Sequence, residues 1–326
     1  MAEVNLVEAV NMALARAMEE DDSVVVLGED VGVNGGVFRA TVGLLDRFGA
    51  DRVMDTPLAE SLIAGMSIGM AAMGLKPVAE IQFMGFIYSC VDQLVCHASR
   101  MRNRTRGRLG CPMVLRAPFG GGIHAPEHHS ESTEALFAHI PGLRVVIPSS
   151  PSRAYGLLLA AIRDPDPVIF LEPKRIYRLV RQEVPDDGTA LPLDVCFTLR
   201  EGTDLTLVTW GAMVHETLQA ADALAQQGVS AEVIDAATLK PLDAGSILAS
   251  VEKTGRCVIV HEAARTAGMG AEIAARLADE GLLSLMAPVK RVTGYDTIMP
   301  LPRGEHRYMP NVNRILRTCR ELVEYA

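Results

Sequence analysis

Short aliphatic runs alternate with longer helical patterns along the whole chain, and this alternation limits the possible folds more than any other feature. Runs such as VVVLGED and PVIFLEP carry acids only near their exits, as strands buried on both faces do. Strands that alternate with helices predict an α/β fold, with mostly parallel sheets flanked by helices. Ligands of such sheets bind at the loops after the carboxyl ends of the strands.

The predicted elements fall into two domains. In the first half the strands are Ser23–Leu27, Lys76–Gln82, Pro112–Arg116, Leu143–Ile147 and Pro167–Leu171, and the helices are Leu6–Met18, Glu60–Met73, Ser89–Arg102 and Arg153–Arg163. The polar sequence RQEVPDDGTALPL, with two prolines and a glycine, predicts a linker before a second α/β unit. We therefore expect domains at residues 1–184 and 199–326, joined by a linker at 185–198.

The sequence DTPLAESLIAGMSIGMAAMG predicts a helix without a polar face. Pro57 suits the first helical position, and Thr56 suits the cap before it. No charge occurs between Leu62 and Leu75, so the helix should be buried on every side. Gly65 and Gly69 lie four residues apart and each cost about 1 kcal/mol relative to alanine, which indicates that another backbone packs very close.

Glu60 is the single carboxylate in the first turn of this helix. One interpretation is that it only complements the helix dipole. The other is a carboxylate beside an apolar cavity, where burial tunes its proton affinity for catalysis. The residues of the helix alone leave both interpretations open.

Histidines and acids are concentrated in one glycine-rich segment: His124, His128, His129 and His139 with Glu127, Glu131 and Glu134. Such a density could bind zinc, and a zinc-dependent hydrolase centred on His124, His128 and His129 is one hypothesis. The spacing H-E-x-x-H is absent, however, and GGGIHAPEHHSES predicts a loop rather than a helix. We favour acid–base or electrostatic work by one histidine near neutral pH.

Composition and missing motifs exclude several classes. A net charge of −9 does not favour a nucleic-acid partner. The chain has no G-x-G-x-x-G after its first strand, no P-loop and no G-x-S-x-G elbow. No apolar run approaches the roughly 20 residues of a membrane span. The six cysteines lack metal or redox spacing. We expect a cytoplasmic protein with neither a nucleic-acid nor a membrane partner.

Several blocks in order resemble one family nearly end to end: LGEDVG, RVMDTPLAESLIAGMSIGMAAMG, KPVAEIQFMGFIYSCVDQ, GGGIHAPEHHSES, DPDPVIFLEPKRIYR, HEAARTAGMGAEIAARL and RVTGYDT. The family is the beta subunits of the thiamine diphosphate-dependent 2-oxo acid dehydrogenases. The resemblance implies a transketolase-like fold, with a pyrimidine-binding and a C-terminal domain, in an α2β2 heterotetramer. It also implies oxidative decarboxylation of a 2-oxo acid and transfer of the acyl group to lipoyl groups of an acyltransferase core.

The resemblance also implies cofactor-binding roles. Glu60 matches the glutamate that hydrogen-bonds the ring nitrogen of the cofactor's aminopyrimidine and favours its imino tautomer. Leu58, Gln82 and Phe86 match positions around the pyrimidine, and Glu29, at the exit of the first strand, is expected to face the same cavity. The motif that holds the diphosphate and its magnesium is absent here and belongs to the alpha subunit in the family.

Further roles follow from the same resemblance. His129 matches the active-site histidine that helps transfer the acyl group to a lipoyl arm, with His128 as a bystander. Gly65 and Gly69 match a small-residue helix that packs against its symmetry mate. A structural potassium ion is expected in some relatives at the positions of Met113, Val114, Ala161, Asp164 and Asp166. An aspartate that closes the turn before Pro165 explains Asp164 equally well.

The most detailed of these expectations concerns the substrate. EIQF and FLEPKRIYR look more like the branched-chain members, so the resemblance favours 2-oxoisovalerate and related acids of branched-chain amino acid degradation. Pyruvate is the second expectation and acetoin the third. A rival of another class is a non-catalytic assembly subunit that only docks the acyltransferase core.

Overall fold

The computed structural model describes residues 2–325, which pack into two units. The first unit contains the chain up to Phe119 and Leu136–Leu193, and the second contains Gly120–Ala135 and the chain from Asp194 onward. The chain thus leaves the first unit after Phe119 and returns to it at Leu136. The predicted linker includes the passage at Leu193, but no sequence pattern indicated the earlier excursion, and the predicted domain limits stay a prediction.

The first unit follows the predicted alternation of strands and helices. Its strands are β1 (Ala2–Val4), β2 (Val24–Gly28), β3 (Val53–Asp55), β4 (Lys76–Glu80), β5 (Val114–Phe119), β6 (Arg144–Val146), β7 (Val168–Pro173) and β8 (Gln182–Val184). Its helices are α1 (Leu6–Glu20), α2 (Leu44–Phe48), α3 (Glu60–Ala72), α4 (Val91–Cys96), α5 (Met101–Arg104) and α7 (Pro151–Arg163), and α6 (Glu134–Ala138) contains the point of return.

The sheet of the first unit has the strand order β6-β7-β5-β4-β2-β3, and every neighbouring pair in it is parallel. β2, β5 and β7 are buried along their whole length, which explains their continuous apolar sequences. β1 and β8 form a separate antiparallel pair. α1 packs against α7, and a capping box between Asn5 and Glu8 fixes its start.

The single helix predicted at Ser89–Arg102 is wrong. The structure has a 3-10 segment at Met84–Cys90, then α4, a second 3-10 turn at Ala98–Arg100, and α5. α4 and α5 have no side-chain cap at their starts, and His97 leaves helical geometry with φ −125° and ψ −66°. The apolar residues of this segment follow a helical period, but in the structure the helix is interrupted at His97.

The predicted start of α3 at Glu60 is confirmed, whereas the predicted cap at Thr56, with Pro57 as the first helical residue, is wrong. The helix begins at Glu60, and its N-cap residue, Ala59, makes no side-chain cap. The backbone N–H of Thr56 donates to the carbonyl oxygen of Gly28 at 2.9 Å, which extends the β2–β3 ladder beyond Asp55. Thr56 is held as an extension of the strand, so it is not available as a cap.

α3 is not buried on every side within this chain, in contrast to the prediction. Leu62 is 44% exposed and Met73 is 85% exposed. A Cβ built on Gly69 would meet no atom within 4 Å, and one on Gly65 would meet only the side chain of Gln93. The predicted close backbone is therefore not supplied by the described residues of this chain.

The second unit is another α/β layer. Its strands are β9 (Phe197–Arg200), β10 (Leu205–Thr209), β11 (Ala231–Asp235), β12 (Thr238–Lys240), β13 (Cys257–Val260) and β14 (Lys290–Val292), and its helices are α8 (Met213–Ala225), α9 (Ala244–Thr254), α10 (Met269–Glu280), α11 (Pro302–Tyr308) and α12 (Val312–Val323). The sheet order is β14-β13-β10-β11-β9, parallel except for β9.

The core of this unit is formed by β10, β11 and β13 with α8 and α12. Ile315, Cys319 and Leu322 of α12 are fully buried in it. The six cysteines are free thiols. Within residues 2–325, no helix combines the length and the apolar composition that a bilayer crossing requires.

Candidate active site

The strand order of the first sheet reverses at β2, because β3 lies on one side of it and β4 on the other. The loops that leave β2 and β4 therefore diverge at their carboxyl ends, where Gly28 is paired with Glu80. A crevice at such a reversal is the expected ligand site of an open parallel sheet. The predicted residues Glu29 and Gln82 directly follow these two strands, and Glu60 follows β3.

Glu29 and Glu60 are half-buried and interact. Burial raises the pKa of Glu29, and the negative charges of Glu60 and Asp30 raise it further. Two neighbouring carboxylates that are partly removed from water favour a bound proton or an N–H donor between them. This edge of the sheet therefore suits a ligand with a nitrogen base that donates or shares a proton.

The start of α3 is tied to the 3-10 segment at Met84–Cys90. The thiol of Cys90 donates to the carbonyl oxygen of Glu60 at 3.3 Å, and the hydroxyl of Ser61 donates to the carbonyl oxygen of Ser89 at 2.6 Å. Burial and the charge of Glu60 raise the pKa of the Cys90 thiol to about 12, so it stays protonated as a donor. These bonds fix the position of the Glu60 backbone.

Gln82 is oriented by an acid that sequence reasoning missed. Its Nε2 donates to Asp30 Oδ2 at 3.2 Å, and Asp30 Oδ1 accepts a bond from Asn34 Nδ2 at 2.8 Å. Asp30 has a positive φ of 59°, an uncommon conformation that a short polar side chain tolerates. The signal in the sequence was a second acid next to Glu29 at the exit of β2.

The two predicted apolar site residues differ in their surroundings. Phe86 is half-buried and meets Phe83 edge to face, with ring centroids 6.1 Å apart, and Phe83 in turn meets Phe38 at 5.4 Å. The side chain of Leu58 is 74% exposed, so it packs little against this chain. Phe86 can thus present a supported ring to a ligand, while Leu58 needs a ligand or a partner chain for burial.

A buried ion network, consisting of Glu80, Arg116, Glu172 and Tyr177, lies within the sheet at the ends of β4, β5 and β7. Arg116 binds Glu172 through Nε at 2.6 Å and Nη2 at 3.0 Å, and it binds Glu80 through Nη1 at 2.9 Å. The hydroxyl of Tyr177 donates to Glu172 at 2.6 Å. Sequence reasoning missed this network, although one arginine inside the apolar strand VLRAPF was its signal.

Three of the four predicted histidines, His124, His128 and His129, lie in what we name the histidine loop, residues 120–131 of the second unit. The backbone N–H of Gly120 donates to the carbonyl oxygen of Glu131 at 2.9 Å and closes the loop at its base. His128 and His129 form a 3-10 turn with Glu127, and their rings lie 6.3 Å apart, edge to face. His129 is half-buried and His128 is exposed.

Buried titratable side chains surround the same part of the second unit. Burial raises the pKa of Glu134 to about 7, and the neighbouring carboxylate of Glu262 adds to this shift. His261 stacks on Trp210, with centroids 5.2 Å apart and an angle of 14° between the ring planes. Burial lowers the pKa of His261 to about 3. These residues were not predicted as site residues.

The residues predicted to hold potassium lie in a turn with two ion pairs. Asp164 Oδ2 pairs with Arg144 Nε at 3.0 Å, and Asp166 Oδ1 pairs with Arg102 Nε at 2.7 Å. The carbonyl oxygen of Ala161 accepts a bond from the N–H of Asp164. Two further bonds complete the turn, from Asp166 N to Asp164 Oδ1 and from Val168 N to the carbonyl oxygen of Met113. These contacts form a hydrogen-bonded turn with two ion pairs, and the potassium site stays a prediction.

The hypothesis of a zinc hydrolase receives no support from the geometry. Across residues 2–325, no three side chains of His, Cys, Asp or Glu are grouped so that they could hold a metal ion. His124 instead pairs with Glu305, with Nδ1 and Oε2 2.9 Å apart. His139 is exposed and belongs to the first unit.

Comparisons with known proteins agree with the two-unit architecture. Residues 2–180 match the transketolase pyrimidine-binding domain, and residues 196–315 match the transketolase C-terminal domain. Among solved structures, the chain is similar to a protein described as a split-gene transketolase, an inactive beta4 tetramer. The TM-score is 0.78 over 99% of both chains, with 22% sequence identity. At this identity the likeness concerns the fold alone.

Curated relatives are much closer in sequence. The chain is 50% identical over 325 residues to a pyruvate dehydrogenase E1 component subunit beta of Bacillus subtilis (strain 168), and the match covers 100% of both chains. It is 51% identical over 324 residues to the protein of the same name from Acholeplasma laidlawii, with 99% of both chains covered.

Proposed function

We propose, on the premise that the chain belongs to the E1 beta subunits of the 2-oxo acid dehydrogenases, that it decarboxylates pyruvate together with an alpha subunit and thiamine diphosphate. The reaction is an oxidation in which the acyl group passes to a lipoyl group of an acyltransferase core. The names of the relatives support both the substrate and the partnership with an alpha subunit.

One observation carries this proposal: the charge of Glu60 raises the pKa of Glu29 at the edge where the strand order reverses. The residues there fit an aminopyrimidine ring, because Glu60 offers an acceptor, Gln82 an oriented amide and Phe86 a ring face. Thiamine diphosphate, when bound, supplies the electron sink for decarboxylation. The diphosphate and magnesium are assigned to the alpha subunit, since this chain lacks the motif for them.

Glu60 has the role of a charged hydrogen-bond acceptor for the ring nitrogen. A hydrogen bond to a carboxylate is shorter and stronger than one to a neutral amide. Because Cys90 and Ser61 hold the start of α3, the backbone that carries the Glu60 side chain is fixed before any ligand arrives. We propose that Glu29 and Gln82 support the same ring.

His129 has the role of a proton donor and acceptor during transfer of the acyl group to the lipoyl sulfur. An imidazole is suited to this role because its ordinary pKa lies near neutrality. The half-buried position of His129, compared with the exposed His128, supports the choice between the two.

The choice of pyruvate replaces the branched-chain expectation for a structural reason as well. Within FLEPKRIYR, Glu172 and Tyr177 belong to the buried ion network, and Lys174 is 4% exposed. Within EIQF, the amide of Gln82 is bonded to Asp30. In FLEPKRIYR these three residues serve the interior of the first unit, and in EIQF Gln82 is assigned to the cofactor ring, so neither motif argues for a wider substrate pocket.

The exposed face of α3 supports an assembly with a second beta subunit. Leu62, Gly69 and Met73 leave an apolar strip open in the single chain. Glycines on such a strip permit a very close approach of a second helix. We propose that the same helix of a second beta copy covers it in an α2β2 heterotetramer.

The test is co-expression with a candidate alpha subunit, followed by turnover measurements with pyruvate, 2-oxoisovalerate and acetoin. We expect the highest kcat/KM with pyruvate. Glu60→Gln keeps the shape of the side chain and removes its charge, so it should lower decarboxylation by at least about 100-fold. Glu183→Gln, at an exposed position of β8, is the matched control and should retain activity.

The assays separate the proposal from its rivals. A fully active Glu60→Gln heterotetramer would contradict the catalytic role and favour a non-catalytic subunit that docks the acyltransferase core. A preference for 2-oxoisovalerate would restore the branched-chain expectation. The Glu60→Gln result is interpreted only if the variant complex has the same mass as the parent complex.

A further inference from the structure

Two buried carboxylates hold the backbone of the histidine loop. Glu305 is 2% exposed and accepts bonds from the N–H groups of Gly122 and His124, the latter at 3.0 Å. Glu262 is 3% exposed and accepts a bond from the N–H of Gly121 at 3.2 Å. Bonds to charged acceptors are among the stronger protein hydrogen bonds. A run of backbone donors is thus fixed by side chains far away in the sequence.

The contact is closely packed as well as hydrogen-bonded. A Cβ at Gly121 would come within 2.6 Å of Met299 Cε and 3.4 Å of Glu305 Oε1. His124 has a positive φ of 58°, which its backbone bond to Glu305 helps to maintain. The loop therefore adopts a conformation that its own sequence does not favour without these partners.

Glu305 itself is held rigidly. It lies on α11, and its carbonyl oxygen accepts a bond from Met309 N at 3.0 Å. Arg314, at the start of α12, donates to the carbonyl oxygens of Tyr308 and Thr293. Since α12 is anchored in the core of the second unit, the Glu305 carboxylate is a fixed reference point for the loop.

The restraint reaches His129 through a short and ordered path. The N–H of His129 donates to the carbonyl oxygen of Pro126 at 3.0 Å, and the N–H of Ser130 donates to that of Glu127 at 2.9 Å. The bond from Gly120 to Glu131 closes the loop behind them. His124 precedes this turn by only two residues, so we expect a change in the backbone at Gly122 or His124 to alter the direction of the His129 ring.

We propose that Glu305 is a positioning residue that sets the orientation of His129 for acyl transfer to the lipoyl group. The inference rests on the proposed function, because it assumes that His129 acts in that transfer. Glu305 does not act on the substrate. Its loss should therefore affect the transfer step and leave decarboxylation, measured with an artificial electron acceptor, nearly unchanged.

The test compares variants of the assembled heterotetramer. Glu305→Gln keeps the side-chain volume but replaces the charged acceptor, and Glu305→Asp keeps the charge at a shorter reach. We expect amide hydrogen exchange in residues 120–131 to become about tenfold faster in Glu305→Gln. We also expect acyl transfer to a free lipoyl domain to fall about tenfold, with decarboxylation within about twofold of the parent.

Two controls isolate the backbone restraint. His124→Asn removes the ring that pairs with Glu305 but keeps the N–H and tolerates a positive φ, so it should resemble the parent. Glu280→Gln, at an exposed position of α10, should change neither exchange nor transfer. If Glu305→Gln does not assemble, Glu305→Asp should still show faster exchange in the loop.

The possible results have separate meanings. Unchanged exchange in residues 120–131 overturns the inference, and so does faster exchange with undiminished transfer. His129→Ala tests the proposed function by itself. If that variant transfers acyl groups as the parent does, the assigned role of His129 fails, whereas normal dependence on His129 without dependence on Glu305 rejects only the positioning role.

Discussion

Glu134 and His261 are buried titratable side chains of the second unit, and they couple its stability to pH in opposite directions. The folded pKa of Glu134, about 7, lies above its ordinary value of 4.5, so its stabilisation is complete below pH 4.5 and is lost as the pH rises through 7. The folded pKa of His261, about 3, lies below 6.5, so its stabilisation is complete above pH 6.5 and is lost as the pH falls toward 3. Between pH 4.5 and 6.5 the two effects cancel.

We predict that Glu134→Gln makes the protein relatively more stable at alkaline pH. Glutamine stays neutral at every pH, so the cost of ionising a buried acid disappears. The difference in free energy of unfolding between variant and parent should grow by about 3 kcal/mol from pH 4 to pH 8. Urea denaturation at several pH values measures it, and the exposed Glu321→Gln serves as control. A difference that does not change with pH would contradict the prediction.

We predict the opposite dependence for His261→Gln. The unfolded parent binds a proton near pH 6.5 that the folded parent excludes, whereas the variant has no such group. Whatever the variant costs at neutral pH, its free energy of unfolding should gain on the parent by about 1.4 kcal/mol per pH unit as the pH falls from 6.5 to 4.5. Parallel pH profiles of the two proteins would exclude this role for His261.

At the residue scale, sequence reasoning found residues that lie next to strand ends and missed those that act from a distance. Glu29, Glu60 and Gln82 follow three strands of one sheet, so their proximity could be predicted from the rule for parallel sheets. Glu305 contacts a loop 183 residues before it. No local period contains that information.

At the element scale, the buried ion network joins the neighbouring strands β4, β5 and β7. Burial raises the pKa of Glu80 even though Arg116 binds it. We predict that Arg116→Met lowers the free energy of unfolding by about 3–5 kcal/mol, because two carboxylates then lose their buried partner. The triple variant Glu80→Gln, Arg116→Met, Glu172→Gln should recover much of this loss. Chemical denaturation measures both, and a loss below about 1 kcal/mol for Arg116→Met would contradict the argument.

Helices and strands could be predicted from the sequence where the hydrophobic period runs over many residues. The parallel strands β2, β4, β5, β6 and β7 and the helix α1 follow from periodicity alone, whereas the three-residue strand β3 was missed. The interruption at His97 was not predictable, because an apolar helical period continues across it. The short strands β9 and β12 and the helices α11 and α12 were also missed, since their order depends on packing in the second unit rather than on local pattern.

At the scale of the whole molecule, the open face of α3 predicts a separation between folding and assembly. Gly69→Leu should not destabilise the folded chain, since no atom lies within 4 Å of the new Cβ, and it removes the helix penalty of about 1 kcal/mol for glycine. It should block the proposed contact with a second beta copy. Sedimentation analysis should then show a smaller complex at unchanged thermal stability, whereas Gly69→Ala should assemble.

An α2β2 mass for Gly69→Leu would reject α3 as the contact between beta copies. The glycines and missing charges of this helix predict a close neighbour, and within the described residues of the chain none is found at Gly69. The sequence could not show whether this neighbour belongs to the same chain or to another one. That distinction depends on which apolar surface remains after folding, which only the packed structure reveals.

The hydrogen bonds that Glu305 accepts from the histidine loop also bear on synthesis of the chain. The loop leaves the ribosome 183 residues before its carboxylate partner. At about 5–20 residues per second, it waits on the order of 10–40 s for that partner. A truncated polypeptide that ends before Glu305 would therefore carry every predicted catalytic side chain and still lack the order of this loop. Under this proposal, His129 reaches its catalytic orientation only after translation has passed Glu305.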